Sequence, residues 1–149
     1  VPEGRFVIEQ APIRDRNGAA RGVVAQGPVG MRVAGRLRLF RYEVRCWPDG
    51  VIPDVAEAVD SPRRLSREVD HARHLLASIH RLPTPVWGRD GLDTGEMWNS
   101  NSIIAWLITS SGIDPAPIAP PHGGRAPGWN AGVIVAQRGE VRADRVRGS

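Results

Sequence analysis

Four consecutive residues that favour helix N-caps stand directly before an apolar segment in this 149-residue chain. The run is Asn99-Ser100-Asn101-Ser102, and Ile103-Ile104-Ala105-Trp106-Leu107-Ile108 follows it. Asn and Ser begin helices because their side-chain oxygen accepts a hydrogen bond from a backbone N–H of the first turn, and one such residue is enough. We therefore expect a buried helix over residues 101–111, ended by Gly112, whose start gathers more polar side chains than initiation requires.

This expected helix start is also a candidate for chemistry. The first turn of a helix carries unpaired N–H groups and a partial positive charge, which stabilise an anion or a developing oxyanion. Ser100 could use that environment as a reactive or ligand-binding hydroxyl. Alternatively, Ser100 is only a cap residue, and Asn99 and Asn101 close a turn through local side-chain hydrogen bonds. The residues of the run leave both interpretations open.

The size and composition are those of a soluble globular protein with one core. Apolar residues make up 41% and charged residues 24% of the chain, so we expect a single domain over residues 1–149. No apolar run approaches the roughly 20 residues that cross a bilayer, and no signal segment begins the chain. Because the first residue is Val rather than Met, the sequence is consistent with a fragment truncated at its N-terminus.

We expect neither a metal ion nor a cofactor. Cys46 is the single cysteine, which rules out an internal disulfide and a cysteine-based metal cluster. It lies at the end of a strand-like run, a position that favours a buried structural thiol over a catalytic one. The sequence also holds no glycine-rich pattern of the kind that binds dinucleotides or phosphates.

The net charge of +4 and the pI near 10.8 raise the question of nucleic-acid binding. All 20 basic residues are Arg, a bias typical of a GC-rich bacterial genome. The arginines are scattered, with acidic residues between them, rather than clustered in a patch or stripe. The few aromatic residues form no platform for stacking bases. Nucleic acid is therefore not the expected partner.

Alternating apolar residues predict three strands in the first third of the chain. We expect strands over residues 5–11 and 20–27, joined as a hairpin by Asp15-Arg16-Asn17-Gly18. A third strand over residues 36–47 changes the phase of its alternation between Leu39 and Phe40. Such a change predicts a β-bulge, which would bend the sheet.

The remaining elements complete an α+β prediction. Apolar spacing over residues 66–81 predicts an amphipathic helix capped by Ser66. Residues 133–137 and 141–145 predict a closing hairpin around Arg138-Gly139. Strands in antiparallel order, with two helices between the third and the last, favour an α+β domain. We expect a curved antiparallel sheet packed on a central helix that starts near Ser100.

The segment from Asn99 to Ile108 resembles the Asn-Cys-Asn-x-aromatic-x-x-x-Leu-Leu motif of circularly permuted papain-like (NlpC-type) proteins. It is also similar to an uncharacterised bacterial branch of that superfamily in which the motif is Asn-Ser-Asn. Two further segments carry the resemblance, which spans about residues 6–136: Tyr42-Glu43-Val44-Arg45 and Gly123-Gly124-Arg125-Ala126-Pro127-Gly128-Trp129. It implies a permuted papain-like fold, with Ser100 at the nucleophile position and Asn99 and Asn101 at the flanking Asn positions.

Two departures from the family pattern bear on catalysis. Ser replaces Cys, and a helix N-terminus that helps to ionise a thiol cannot ionise a serine hydroxyl, so Ser100 needs a general base. The family's His comes from a strand before the motif, whereas no strand before Ser100 holds a His in this chain. The best remaining candidate is His122, in a loop that could approach the helix start. His71 and His74 fit a solvated helix face instead.

A binding or structural role is the leading expectation for these residues. Arg125 suits a carboxylate and Trp129 supplies a flat apolar wall, so they join Asn99 and Asn101 as candidate ligand-binding residues. We expect a degenerate papain-like protein of the bacterial envelope, with a cytoplasmic location as the alternative. It would be a binding or structural module for a small molecule or a peptide or acyl ligand. The alternative function is a hydrolase or acyltransferase with Ser100 as nucleophile and His122 as base.

Overall fold

The strand with the most apolar core face lies in the middle of a three-stranded antiparallel sheet. The computed structural model describes residues 4–12, 22–37, 40–52, 55–56 and 62–147. The strands are β1 (Phe6–Pro12), β2 (Val23–Pro28) and β3 (Arg41–Pro48), in the order β1-β3-β2. Tyr42 and Val44 of β3 are almost fully buried in the core. Glu43, which points to the opposite face, is also buried and forms an ion pair with Arg45.

The expected hairpin between the first two strands is wrong. Both β1 and β2 pair with β3 and not with each other. The turn Asp15-Arg16-Asn17-Gly18 itself lies outside the described residues. A turn motif reports only local backbone preference, whereas the strand order depends on which pairings satisfy the backbone hydrogen bonds and pack the side chains across the whole sheet.

The predicted β-bulge near Phe40 is also wrong. Strand β3 begins at Arg41, and residues Ala34–Arg36 form a 3₁₀ turn rather than the start of a strand. Phe40 is exposed and lies just before β3, while Leu39 lies outside the described residues. The register irregularity of the sheet lies in β2 instead, between Val23 and Ala25.

The predicted central helix is confirmed. Helix α2 spans Ser100–Ser110, and most of its residues are buried. Gly112 follows with a φ of 85°, the left-handed conformation that ends helices and that glycine adopts without strain. Trp98 and Trp106 are buried in the same core as Tyr42.

The amphipathic helix is shorter than expected. Helix α1 spans Val69–Ser78 and continues into a 3₁₀ turn over Ile79–Arg81. Its N-cap residue is Glu68, and Ser66 instead accepts a hydrogen bond of 3.0 Å from the Glu68 backbone N–H. Of the predicted apolar stripe, only Ile79 is fully buried, and Val69 is exposed.

The closing hairpin is the largest error of the sequence prediction, because this region forms helix α3 over Trp129–Arg147. The β-branched run from Val133 to Val135 suggested a strand, but helix packing overrides such propensity. Ala131, Gly132 and Ala136 are buried at helical spacing. A Cβ on Gly132 would lie 2.1 Å from the carbonyl oxygen of Ser102, so the two helix backbones meet closely there.

The architecture is therefore α+β, with three helices and one antiparallel sheet in the described part of the chain. Within these described residues, no helix combines the length and the apolar character that a membrane span requires.

Candidate functional site

A complete capping box begins helix α2. The Oδ1 atom of Asn99 accepts hydrogen bonds from the backbone N–H groups of Asn101 (2.9 Å) and Ser102 (3.3 Å). The Oγ atom of Ser102 accepts one from the backbone N–H of Asn99 at 3.0 Å. This reciprocal pair satisfies the backbone N–H groups of Asn99, Asn101 and Ser102 with protein atoms.

The side chains of Asn99, Asn101 and Ser102 also hold the loop that leads into helix α3. The Nδ2 atoms of Asn99 and Asn101 both donate to the Pro127 carbonyl oxygen, at 2.8 and 2.9 Å. The Ser102 hydroxyl donates to the Gly128 carbonyl oxygen at 2.7 Å, closer than the Met97 carbonyl oxygen at 3.3 Å. We call this arrangement the Asn clamp: Asn99, Asn101 and Ser102 on one side, and Pro127 and Gly128 on the other.

Gly128 is required by the geometry of the Asn clamp. Its φ is 84°, and an added Cβ would lie 2.7 Å from the Met97 carbonyl oxygen and 2.7 Å from Ser102 Oγ. It would also lie 2.8 Å from Asn99 Nδ2. Two of the segments that carried the sequence resemblance therefore contact each other, although 26 residues separate Ser102 from Gly128.

Ser100 takes no part in the Asn clamp. It is the first residue of α2, its side chain is exposed, and its hydroxyl has no hydrogen-bond partner among the described residues. His122 is exposed on the loop before α3 and is not hydrogen-bonded to Ser100. Within the described residues, the serine–histidine hydrogen bond joins Ser66 Oγ and His71 Nδ1 instead, at 2.8 Å.

Three of the candidate ligand-binding residues line one cleft of about 470 Å³. Asn101 lies at the start of α2, Trp129 at the start of α3, and Arg125 on the loop that the Asn clamp holds. We call this space the helix-start cleft. Its other lining residues are Ile118, Ala119, Pro120, Pro121, Ala126 and Asn130. Asn99, Ser100 and His122 are not among its lining residues.

Some polar groups of the helix-start cleft are hydrogen-bonded within the protein, and others are not. Asn101 Nδ2 is held by Pro127, while no described residue donates to Asn101 Oδ1. Asn130 Nδ2 donates to Glu96 Oε1 at 3.1 Å, and no described residue donates to Asn130 Oδ1 either. Arg125 is exposed and forms no ion pair with a described residue. The residues that line the cleft therefore include one guanidinium and two side-chain amides, together with the half-buried Trp129.

Hydrogen bonds from side chains to its backbone hold the segment before α2 in place. The carboxylate of Asp90 accepts hydrogen bonds from the N–H groups of Thr94 and Gly95, which lowers the pKa of Asp90. Arg138 of α3 donates to the carbonyl oxygens of Leu92 (2.7 Å) and Asp93 (3.0 Å). These contacts position the segment that leads to Asn99, the first residue of the Asn clamp. The sequence pattern did not identify Arg138, whose helix was predicted as a hairpin.

Cys46 lines a separate cavity of about 420 Å³ between the sheet and α1. Phe6, Val24 and Ile79 form much of its wall. Burial raises the pKa of the Cys46 thiol, which disfavours the thiolate that a cysteine nucleophile needs. Also, no group of three or more His, Cys, Asp or Glu side chains in the described part of the chain could hold a metal ion.

Comparison of the chain with protein-family models, with curated proteins and with solved structures yields no match. The resemblance to permuted papain-like proteins therefore rests on the sequence segments themselves.

Proposed function

We propose that the protein is a binding module whose helix-start cleft takes a small molecule or a peptide that ends in a carboxylate. The observation that carries this proposal is the convergence of Asn101, Arg125 and Trp129 on one cleft. These residues come from two helices and a loop. Their meeting depends on the Asn clamp, which docks the loop and the start of α3 onto α2.

The chemistry of the lining defines the ligand class. A guanidinium binds a carboxylate through two parallel hydrogen bonds, and Arg125 has no described acidic partner to compete with the ligand. The Oδ1 atoms of Asn101 and Asn130 are acceptors, so they suit ligand N–H or O–H groups. The Trp129 ring and the adjacent prolines suit an apolar side chain or acyl chain. An acylated amino acid or the C-terminal end of a peptide combines all three features.

The scaffold proposal is a degenerate, non-thiol member of the permuted papain-like superfamily, in a bacterial envelope. The Asn-Ser-Asn motif at the start of the central helix supports the family, and the Arg-only basic composition supports a bacterial source. In this proposal the two Asn residues of the motif have a structural role, because their amides form the Asn clamp. A cytoplasmic location is the alternative.

Calorimetric titration tests the binding proposal. Acetylated dipeptides with a free C-terminal carboxylate and with different apolar side chains are the probes, and the matching carboxamides are the controls. We expect a carboxylate-dependent heat that Arg125→Gln weakens about 10- to 100-fold, the range for losing a charge-assisted hydrogen-bond pair. Arg64→Gln, an exposed arginine remote in sequence, is the matched control. Equal binding of acids and amides, or no binding of either, contradicts the proposal.

The second candidate is a hydrolase or acyltransferase with Ser100 as the nucleophile. One observation favours it: Ser100 is exposed at the helix start, and its hydroxyl is not used by the cap or the Asn clamp. The absence of a hydrogen bond from any described histidine to Ser100 weighs against it. A fluorophosphonate probe separates the two candidates. Labelling that Ser100→Ala abolishes favours the enzyme, whereas no labelling of folded protein that binds a carboxylate ligand favours the module.

A further inference from the structure

The loop between β2 and β3 exposes four large apolar side chains. Met31 is 61% exposed, Val33 75%, Leu37 63% and Phe40 42%. A single exposed apolar side chain is ordinary on a protein surface, but a group of them in one loop marks an interaction surface. We call the described residues of this loop, Gly30–Leu37 and Phe40, the apolar tip.

The apolar tip is a folded structure rather than an extended arm. The backbone N–H of Val29 donates to the Phe40 carbonyl oxygen at 2.8 Å, which closes the loop at its base. Inside it, Gly35 N–H donates to the Met31 carbonyl oxygen at 3.3 Å. A Cβ on Gly35 would lie 2.5 Å from the Pro28 Cβ, so the loop packs back against the end of β2. These contacts hold the described backbone of the apolar tip, and its apolar side chains remain exposed.

The charged residues within the apolar tip are all arginines. The sequence holds no Asp or Glu between Asp15 and Glu43, and it holds six Arg in that interval. Within the tip, Arg32 and Arg36 are exposed and have no acidic partner among the described residues. The exposed Arg89 joins them, because its Nε atom donates to the Gly30 carbonyl oxygen at 3.0 Å. The arginines thus cluster here, unlike the scatter expected from the sequence as a whole.

We propose that the apolar tip binds the surface of an anionic lipid membrane. Apolar side chains flanked by arginines suit the membrane interface, where the former enter the acyl boundary and the latter pair with lipid phosphates. Nucleic acid fits less well, since phosphates offer nothing to Val33 and Leu37, and Phe40 alone is no stacking platform. A second copy of the chain would bring two basic tips together, which like-charge repulsion opposes.

Hydrogen bonds of Arg89 connect the apolar tip to the residue that precedes the Asn clamp. The Arg89 carbonyl oxygen accepts a hydrogen bond of 2.9 Å from the backbone N–H of Trp98, the residue before Asn99. A membrane-bound tip would thus hold the start of α2 near the lipid surface. The membrane proposal does not depend on the proposed ligand of the helix-start cleft, and its test is done without that ligand.

Vesicle co-sedimentation of the full chain tests the proposal. We expect binding to vesicles of phosphatidylglycerol mixed with phosphatidylcholine, little binding to phosphatidylcholine alone, and a decline as salt is raised. The double variant Arg32→Gln/Arg36→Gln is expected to lower the partition coefficient about 25-fold, at roughly fivefold for each arginine. Met31→Ser/Leu37→Ser is expected to lower it about tenfold or more.

Two exposed apolar residues elsewhere supply the control. Val51 and Ile52 are 72% and 51% exposed, and Val51→Ser/Ile52→Ser is expected to bind vesicles as the wild type does. Circular dichroism establishes that each variant is folded. The proposal would be overturned if the wild type bound equally well to vesicles with and without anionic lipid, or if the tip variants bound as the wild type does. A dimer that depends on the tip, without vesicle binding, would also overturn it. Salt-sensitive retention of duplex DNA in place of vesicle binding would do so too.

Discussion

Replacing Gly128 by Ala perturbs the Asn clamp at its most crowded point. The residue has a φ of 84°, and left-handed backbone costs an L-residue about 1–2 kcal/mol. The new Cβ would also stand within 2.8 Å of Ser102 Oγ and Asn99 Nδ2, so these groups must move. Overpacking of this kind costs about 1–3 kcal/mol, including weakened hydrogen bonds. We expect the free energy of unfolding to fall by about 2–5 kcal/mol in total.

Gly123 separates the steric part of this cost from the backbone part. Its φ is 76°, but an added Cβ would have no heavy atom within 4 Å. Gly123→Ala should therefore cost only the backbone strain, about 1–2 kcal/mol. Urea unfolding followed by tryptophan fluorescence gives both values. If Gly128→Ala destabilises the protein no more than Gly123→Ala does, the contacts assigned to the Asn clamp are not present.

Three further predictions concern the helix contact and two titratable groups. Gly132→Ala should destabilise the protein by about 1–3 kcal/mol because its Cβ meets the Ser102 backbone. Gly139→Ala, with open space around its Cβ, should instead stabilise the protein by about 0.5–1 kcal/mol. Urea unfolding compares the two variants, and equal effects would contradict the packing. Burial raises the pKa of Tyr42 from 10.0 to about 12, so the stability that depends on the neutral phenol is complete below pH 10 and is lost as the pH rises through 12. Tyr42 is the only tyrosine, so ultraviolet absorbance titration of the folded protein measures it directly, and an apparent pKa near 10 would contradict its burial. Burial also raises the pKa of Cys46, so the folded protein should react with a disulfide reagent more slowly than the urea-unfolded chain, and equal rates would count against it.

The central helix could be predicted because its signals are local. The cap residues from Asn99 to Ser102 lie next to one another, and the apolar run and Gly112 follow directly. Each signal acts within one or two helical turns, so no knowledge of the rest of the fold is needed. The structure places α2 over Ser100–Ser110, within one residue of the expected limits.

Helix α3 and the strand order could not be predicted in this way, because both depend on distant contacts. The run Val133-Ile134-Val135 favours a strand locally, and its helical state depends on the packing of Gly132 against Ser102 of another helix. One signal was present: Ala131, Val135 and Ala136 recur at the spacing of a helix face. The central position of β3 depends on how both of its neighbours cover it, which the hairpin motif does not encode.

The candidate site was predictable in part. Asn101, Arg125 and Trp129 were chosen from the sequence, and they line one cleft. The structural use of the Asn amides was not foreseen, since their acceptor, Pro127, is 26 residues or more away. The pairing of Ser100 with His122 was inferred only from a loop's freedom to approach the helix start. The structure shows no hydrogen bond between these two residues.

The most direct test of the account locates a ligand on the molecule. We would follow the Trp129 indole N–H and the Arg125 Nε–H by NMR while adding an acetylated dipeptide with a free carboxylate, and then its carboxamide. The account predicts that both signals shift saturably with the acid and hardly with the amide, while the Asn99 side-chain amide, committed to the Asn clamp, stays in place. Equal shifts with both peptides, or a response of Asn99 without Arg125, would contradict a carboxylate site in the helix-start cleft.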